Sequence, residues 1–245
     1  MATSKTKIET IEGYVIRISP YKENDAMVTV LTSDGVRSFS AHGIEKHNSK
    51  NLGSTRALSY SRFSLSVKEN GGASLKESMP ITYVDGKSDF TRLSAISFIL
   101  ELTQKMVEGE EHHSKFLLLD GAIKALNLDF DPLTICMLYF AGLLNVEGYG
   151  PNVDGCAVCG EKHNIVGFSF KDGGFLCKQH LDSSYFKKTP RDLKIIRYAF
   201  MVGPENYTRI TFEKKECLTL IREMADHLET LTNTKLNSLL LLSKA

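Results

Sequence analysis

The chain has 245 residues, 42% of them hydrophobic and 24% charged, with a formal net charge of +1 at pH 7. This is the composition of an ordinary globular protein, and the length suffices for two domains or for one elaborated domain. No run of eighteen apolar residues occurs, which excludes a transmembrane helix. The first residues carry no apolar core behind their charges, so we expect no secretory signal and a cytoplasmic protein with reduced cysteines.

Charge is distributed unevenly along the chain. The formal net charge is +3 over residues 1–80, −6 over residues 81–155 and +4 over residues 156–245. This basic, acidic and basic division suggests separate surfaces with different partners. An ordinary solvated surface is the alternative interpretation.

Five short β-strands are predicted between residues 10 and 84. The predicted strands lie at 14–18, 26–32, 36–41, 58–68 and 74–84, the last interrupted by Pro80. Ser33-Asp34-Gly35 predicts a hairpin turn between the second and third strands. Five strands with one longer connection, residues 43–56, predict a small Greek-key barrel of the OB type, with an SH3-like barrel as the alternative.

The connection at 43–56 has the composition of an exposed loop with positive charge. OB barrels hold nucleic acid on such loops and faces by combining positive charge with stacking aromatic rings. Tyr60 shares a strand face with Arg62 and is the best stacking candidate, although a core tyrosine beside a solvated loop gives the same pattern. The predicted nucleic-acid-binding residues are Arg37, Lys46, His47, Lys50, Arg56, Tyr60, Arg62 and Lys68.

From about Thr91 the apolar period becomes helical. A first helix ends at Glu108-Gly109, a second carries apolar residues from 116 to 126, and a third begins at Pro132 behind Asp131 as its cap. Further helices are predicted from Pro190, over 213–231 and over 236–242. Cys136 and Cys217 lie on apolar helical faces and are interpreted as buried thiols.

The strongest chemical signal is the pair Cys156-Ala-Val-Cys159 followed by the pair Cys177-Lys-Gln-His180. Zinc takes four nitrogen or sulfur ligands in a tetrahedron, and each pair can hold one edge of it. The spacer can fold back as a hairpin that turns at Asp172-Gly173-Gly174. Four protein ligands leave no open position for water or substrate, so we predict one structural Zn²⁺ held by Cys156, Cys159, Cys177 and His180.

The sequence offers two alternatives to this ligand set. His163 lies close behind Cys159 and offers a rival fourth ligand, but His180 repeats the two-residue spacing of the first pair. Disulfides are disfavoured because the five cysteines are an odd number and no secretory signal is expected.

The order of these parts resembles the bacterial DNA repair and recombination protein family RecO. The segments that carry the resemblance are Gly13-Tyr-Val-Ile-Arg17, Pro20-Tyr-Lys-Glu-Asn-Asp25, Leu31-Thr32, Gly35-Val36, Ala41-His-Gly43, Phe98-Ile-Leu-Glu-Leu102, Gly148-Tyr-Gly-Pro151, Gly173-Gly174 and the two metal-binding pairs. The resemblance covers residues 11–181 and, more weakly, the helical C-terminus.

The resemblance implies an α+β multidomain protein with an OB-type barrel at 1–84, a helical domain at 85–150 and 185–245, and a zinc-binding segment at 151–184. It implies a nucleoid-associated protein that has no enzymatic turnover, binds single- and double-stranded DNA and anneals complementary strands. With RecR it would help to load RecA onto DNA covered by single-stranded-DNA-binding protein. The basic stretch of the family corresponds to residues 42–50, which hold fewer Lys and Arg here than is usual in the family.

A protein adaptor is the alternative function. The barrel and helices would then dock RecR or the acidic tail of single-stranded-DNA-binding protein, with little intrinsic DNA binding. The thinned basic stretch and the near-zero net charge favour this alternative. An enzyme is disfavoured because no complete phosphate-binding Gly-x-x-x-x-Gly-Lys-Ser/Thr loop, no Gly-x-Ser-x-Gly elbow and no His-Glu-x-x-His motif occurs.

Overall fold

The computed structural model describes residues 6–21, 23–44, 46, 49–69, 71–86, 89–183 and 187–245. They form an α+β protein in which an N-terminal sheet of five strands is followed by helices, with a small hairpin between the third and fourth helix. None of the described helices is long and apolar enough to cross a membrane. The chain divides into two compact units: residues 1–87 with 103–117 form the first, and residues 88–102 with 118–245 form the second. The division into a barrel at 1–84, a helical domain at 85–150 and 185–245, and a zinc-binding segment at 151–184 stays a prediction.

The N-terminal strands close into one sheet. They are β1 (Thr6–Pro20), β2 (Ala26–Thr32), β3 (Gly35–Ala41), β4 (Tyr60–Lys68) and β5 (Ala73–Thr82). They pair in the order β1-β2-β3-β5-β4, and β1 returns to β4, which closes the sheet. Strand β1 pairs with two neighbours: its residues 6–14 pair with β4, and its residues 14–20 pair with β2. All pairs are antiparallel except β3 with β5, which meet at Ser40 and Ser74.

The closed sheet is filled by apolar side chains of β1, β2, β3 and β4, and Ala73 and Leu75 of β5 pack against them. Its core consists of Val15, Ala26, Val28, Val30, Phe39, Ala41, Ile44, Phe63 and Leu65. Along β4, Phe63 and Leu65 are buried while Arg62 and Lys68 are exposed. The predicted hairpin turn is confirmed, and the Thr32 hydroxyl braces it by donating to the Gly35 carbonyl oxygen at 2.8 Å.

Two strand predictions differ from the structure. The first strand is three times longer than predicted, because its N-terminal half finds an antiparallel partner in β4 that local periodicity does not reveal. The predicted interruption at Pro80 is wrong, since β5 runs continuously through it. Pro80 is tolerated because it stands beside a bulge, where Ser61 pairs with Pro80 and Tyr60 with Thr82. Beyond Ser74 no described residue of β3 pairs with β5, so the missing N–H breaks no bond on that side.

The helices follow the predicted order. They are α1 (Phe90–Met106), α2 (His112–Asn127), α3 (Pro132–Val146), α4 (Pro190–Met201), α5 (Lys214–Thr232) and α6 (Leu239–Lys244). The predicted cap at Asp131 is confirmed, and α4 is capped as well. The Asp131 carboxylate accepts from the Thr134 N–H at 2.7 Å at the start of α3, and Thr189 and Asp192 form a reciprocal capping box at the start of α4.

Helix α3 is the centre of the second unit. Every residue from Leu133 to Leu144 is buried, as expected for a helix that is apolar all round. Close packing leaves no room at Gly142, where an added Cβ would lie 2.6 Å from the Leu118 Cδ2 atom. Cys136 and Cys217 are buried as predicted, and burial raises the pKa of both thiols, that of Cys217 to about 12. These cysteines therefore behave as packing groups, not as nucleophiles.

Candidate metal centre and candidate nucleic-acid face

Three cysteines and one histidine converge in the second unit. Their donor atoms, the sulfurs of Cys156, Cys159 and Cys177 and a ring nitrogen of His180, all lie within 4.8 Å of one another. The Cys159 and Cys177 sulfurs are 3.9 Å apart. The His180 Nδ1 atom lies 3.7 Å from the Cys156 sulfur and 3.3 Å from the Cys177 sulfur. This group could hold a metal ion.

Three of the six donor–donor distances are close to the edges of a tetrahedral zinc site. With Zn–S bonds of about 2.3 Å and Zn–N bonds of about 2.0–2.1 Å, a tetrahedron has edges of about 3.7 Å between two sulfurs and about 3.5 Å between sulfur and nitrogen. The three separations above fall within about 0.3 Å of these edges. A disulfide would need sulfurs about 2.05 Å apart, and all five cysteines are free.

A tight backbone turn shapes the first pair of donors. The Gly160 N–H donates to the Cys156 carbonyl oxygen at 2.8 Å, and the Cys156 N–H donates to the Glu161 carbonyl oxygen at 2.8 Å. Gly160 has a φ of +75°, a left-handed conformation that favours glycine. A Cβ on Gly155 would lie 2.8 Å from the Gly160 carbonyl oxygen, so Gly155 is required by close approach, whereas Gly160 is favoured by its positive φ.

A hairpin brings the second pair opposite the first. Strands β6 (Ile165–Ser169) and β7 (Gly174–Cys177) pair antiparallel, so Cys177 stands at the end of β7. The Phe175 N–H donates to the Asn152 carbonyl oxygen at 2.9 Å, and the Ala157 N–H donates to the Phe175 carbonyl oxygen at 2.7 Å. The chain entering the metal site is thereby attached to the edge of β7.

The pKa values of the Cys156 and Cys159 thiols are shifted in opposite directions. Burial acts to raise the pKa of Cys156, but the N–H groups of Cys177, Cys159 and Val158 point at its sulfur and lower that pKa to about 6. The Glu161 N–H acts to lower the pKa of Cys159, yet desolvation and the neighbouring thiols of Cys156 and Cys177 raise it overall. One thiolate is therefore available near neutral pH, and a bound cation favours deprotonation of the others.

The structure distinguishes between the two candidate histidine ligands, His180 and His163. His163 does not belong to the converging group. Its N–H donates to the Glu161 carboxylate at 2.8 Å, and the residue is exposed. The two-residue spacing of the second pair, which favours His180 in the sequence, agrees with the geometry.

The predicted nucleic-acid residues lie in the first unit, and they differ in whether their charge is available. Lys46, Lys50 and Arg56 are exposed in the β3–β4 connection (residues 42–59), and none forms an ion pair with a residue that the structure describes. His47 lies outside the described residues. Lys68 is exposed at the end of β4.

The two arginines on the strands have carboxylate partners. Arg62 Nε donates to the Glu12 carboxylate at 2.7 Å, and Arg37 lies 3.8 Å from the Glu9 carboxylate. The Arg62 guanidinium and then the Tyr60 hydroxyl hold the pKa of Glu12 below its usual value, so Glu12 stays charged at neutral pH. These carboxylates would compete with phosphate for both arginines.

Tyr60 is half-buried among other side chains. Its ring centroid lies 4.9 Å from that of Tyr14 and 6.1 Å from that of Phe116. Its hydroxyl donates to the Glu12 carboxylate at 3.0 Å. The ring therefore has packing partners within the first unit, as the alternative interpretation of this tyrosine anticipates.

The predicted basic residues do not form one patch. Arg37 lines a small cavity with Gly71, and the Lys68 backbone bonds to Gly71 and Gly72. The connection that carries Lys50 and Arg56 is attached at the other end of β4, where the Ser61 hydroxyl donates to the Ser54 carbonyl oxygen at 2.9 Å. The two ends of β4, Tyr60 and Lys68, are eight residue steps apart, which is roughly 26 Å at 3.3 Å per residue.

Tyr21 is not among the predicted nucleic-acid-binding residues, yet it is exposed in the first unit. This residue stands in the turn between β1 and β2 and is 61% exposed, the largest value for a described aromatic residue of the first unit. Its position in a polar turn, Tyr21-Lys-Glu-Asn-Asp25, is the signal that could have indicated it.

Two family models match the chain. One, described as recombination protein O N terminal, matches residues 6–83, and the other, described as recombination protein O C terminal, matches residues 87–239. The chain is also 28% identical over 181 residues to the DNA repair protein RecO of Bacillus cereus, of Bacillus thuringiensis and of Bacillus anthracis, over 73% of this chain and 73% of each relative. The chain belongs to the RecO family of recombination and DNA repair proteins.

Proposed function

We propose that this protein is a DNA repair and recombination mediator without enzymatic turnover. It binds single- and double-stranded DNA, anneals complementary strands and, with RecR, promotes loading of RecA onto DNA covered by single-stranded-DNA-binding protein. Family membership supports the role in DNA repair and recombination. A protein with these partners acts on the nucleoid, in the cytoplasm.

One observation carries the DNA-binding part of this proposal. Lys46, Lys50 and Arg56 present charge to solvent on the β3–β4 connection, and no described carboxylate neutralises them. Phosphate contacts by such cations release counterions and supply the sequence-independent share of DNA affinity. The strand order β1-β2-β3-β5-β4 with a long link before β4 supports the OB-type interpretation, a fold that binds nucleic acids.

The test is fluorescence anisotropy of a labelled single-stranded oligonucleotide at several salt concentrations. We expect submicromolar binding with a log–log salt slope of about −2 to −5, which corresponds to several phosphate contacts. Absence of binding even at low salt would contradict the mediator. Mixing complementary strands, one carrying a donor and the other an acceptor fluorophore, then measures annealing, which requires no nucleotide in this proposal.

We also propose that the Cys156, Cys159, Cys177 and His180 group binds one structural Zn²⁺. Three donor–donor distances close to the edges of a tetrahedral zinc site support this ion. Four protein ligands close the coordination sphere, so the ion would hold the segment together and take no part in chemistry. Metal analysis of the purified chain should find one zinc per chain, and His163→Ala should keep it.

The adaptor is the second candidate, and the ion pairs of Arg37 and Arg62 favour it. With these arginines engaged, fewer cations remain for phosphate than the sequence suggests. An adaptor predicts weak DNA binding by the isolated chain and a sharp gain when RecR is added. Anisotropy titrations with and without RecR therefore distinguish the two candidates.

A further inference from the structure

Stacking on bases requires an aromatic ring that faces solvent. Tyr21 and Tyr83 are 61% and 57% exposed, respectively. Tyr14, Phe39 and Phe63 are all 1% exposed or less. Among the described residues of the first unit, the choice of a stacking ring therefore lies between Tyr21 and Tyr83.

The turn that carries Tyr21 is fixed by hydrogen bonds. The Tyr21 N–H donates to the Asp25 carbonyl oxygen at 2.8 Å, which closes the turn between β1 and β2. The Asp25 carboxylate accepts from the Gly43 N–H at 2.8 Å and lies 2.9 Å from His42 Nδ1. Asp25 thus joins the Tyr21 turn to the start of the β3–β4 connection.

This junction places a cation beside the turn. The Lys46 N–H donates to the Gly43 carbonyl oxygen at 3.4 Å. The Lys46 side chain folds back toward Gly43, so that its Cε atom lies 3.6 Å from the place a Gly43 Cβ would take. Lys46 forms no ion pair within the described part of the chain. Its ammonium group is therefore available for a phosphate.

The adjoining strand surface suits a second base. Met27, the second residue of β2, is 36% exposed and pairs with Ser19 of β1 and with Ser40 of β3. Small hydroxyl side chains on either side leave the thioether accessible. The exposed Met27 side chain can contact any base, because every base has a π-face.

We propose that Tyr21 stacks on a base of single-stranded DNA while Lys46 contacts a phosphate and Met27 supports the next base. This rests on the proposed DNA-binding function and names a place for it on the β1–β2 turn, away from the packed Tyr60 ring. Tyr83 is disfavoured because the acidic residue Asp85 follows it closely, whereas Asp25 joins the Tyr21 turn to the segment of Lys46. Loss of one stacked base lowers affinity by about tenfold.

The absence of tryptophan from the chain allows a direct test. Tyr21→Trp introduces a single reporter at the proposed contact, and Tyr83→Trp introduces one at the matched exposed position. On titration with oligo(dT) we expect quenching of the Tyr21→Trp emission with the same midpoint as the anisotropy change, and no quenching of Tyr83→Trp. A duplex of equal length should not quench Tyr21→Trp, because its bases are stacked within the helix.

A second pair of variants measures affinity without a reporter. Tyr21→Ala should weaken single-strand binding by about tenfold, whereas Tyr60→Phe should leave it unchanged. The stacking proposal would be overturned if the wild type binds DNA, the Tyr21→Trp emission is not quenched and Tyr21→Ala binds with full affinity. That result would leave the proposed function intact. Equal quenching by duplex would also overturn the stacking proposal. If the wild type binds no oligonucleotide at all, both proposals fall.

Discussion

The sequence predicts both a metal-binding group and a set of basic residues on the N-terminal sheet, and the structure brings together the first but not the second. The four metal donors converge within 4.8 Å of one another. The basic residues divide between two ends of β4, and two of them are engaged by carboxylates. The coordination geometry of a metal determines how far apart the ligands of one pair lie in the sequence. Whether a basic side chain is available to phosphate depends instead on carboxylates from strands that are distant in the sequence. Spacing motifs therefore transfer from sequence to structure better than charge patterns do.

The largest effect should come from the metal donors. Cys156→Ser with Cys159→Ser removes half of the ligand set, and zinc content should fall from one per chain to none. Binding of structural zinc in small domains amounts to roughly 10–16 kcal/mol, so we expect the hairpin of β6 and β7 to unfold and the melting temperature to drop. Thermal unfolding followed by circular dichroism measures the loss.

The matched control for that variant is His163→Ala, which should keep both zinc and stability. A double serine variant that stays folded and loses only DNA binding would show that the site serves nucleic acid and not folding.

The next effect concerns the available cations. Lys46→Glu, Lys50→Glu and Arg56→Glu together should abolish single-strand binding in anisotropy titrations at physiological salt. Neutral versions of the same residues should make the salt slope shallower by about 2, since each phosphate contact on a single strand contributes about 0.7. Full retention of binding by the triple Glu variant would refute the assignment of this segment. Arg37→Gln with Arg62→Gln is the control and should change affinity far less.

A smaller effect, with the opposite sign, should follow from releasing an arginine. Glu12→Gln removes the carboxylate that engages Arg62 at 2.7 Å. The freed guanidinium would become available to phosphate, so single-strand affinity should rise by about two- to fivefold at low salt, as one more phosphate contact implies. Unchanged affinity would mean that Arg62 lies off the path of the DNA. Glu12→Asp, which keeps the charge, is the comparison variant.

The smallest effect is on pH dependence. The pKa of Glu12 is lowered, first by the Arg62 hydrogen bond and then by that of Tyr60, from an ordinary value of 4.5. A carboxyl with a lowered folded-state pKa stabilises the fold fully above the unfolded pKa, and the stabilisation is lost as the pH falls through the folded pKa. Wild type and Glu12→Gln should therefore differ in urea stability at pH 7, and the difference should shrink as the pH falls through the lowered folded-state pKa of Glu12. A difference that stays constant from pH 7 throughout the acid range would contradict this linkage.

Much of the fold could be predicted because its determinants are local. Helix starts at Pro132 and Pro190 follow from the preceding caps, and the hairpin turn at 33–34 follows from its glycine. The length of β1 could not be predicted, because residues 6–13 become a strand only through pairing with β4. The continuity of β5 through Pro80 likewise depends on a bulge opposite Tyr60.

The same distinction applies to the candidate sites. The spacing within each pair of metal donors is local, so their identity was accessible from the sequence. The engagement of Arg62 by Glu12 joins residues fifty positions apart, and no sequence pattern indicates it. The exposure of Tyr21 was accessible in principle, because an aromatic residue in a polar turn has few neighbours to cover it.

The double pairing of β1 has a consequence for folding kinetics. Thr6 pairs with Lys68, so closing the sheet joins residues more than sixty positions apart. Contacts at such separation raise contact order and slow folding, because chain entropy is lost before the contact forms. The metal-binding hairpin joins residues within a span of 25 positions, from 156 to 180. In refolding experiments, protection of the β6–β7 amides should precede that of the β1–β4 amides, with barrel closure as the slow phase.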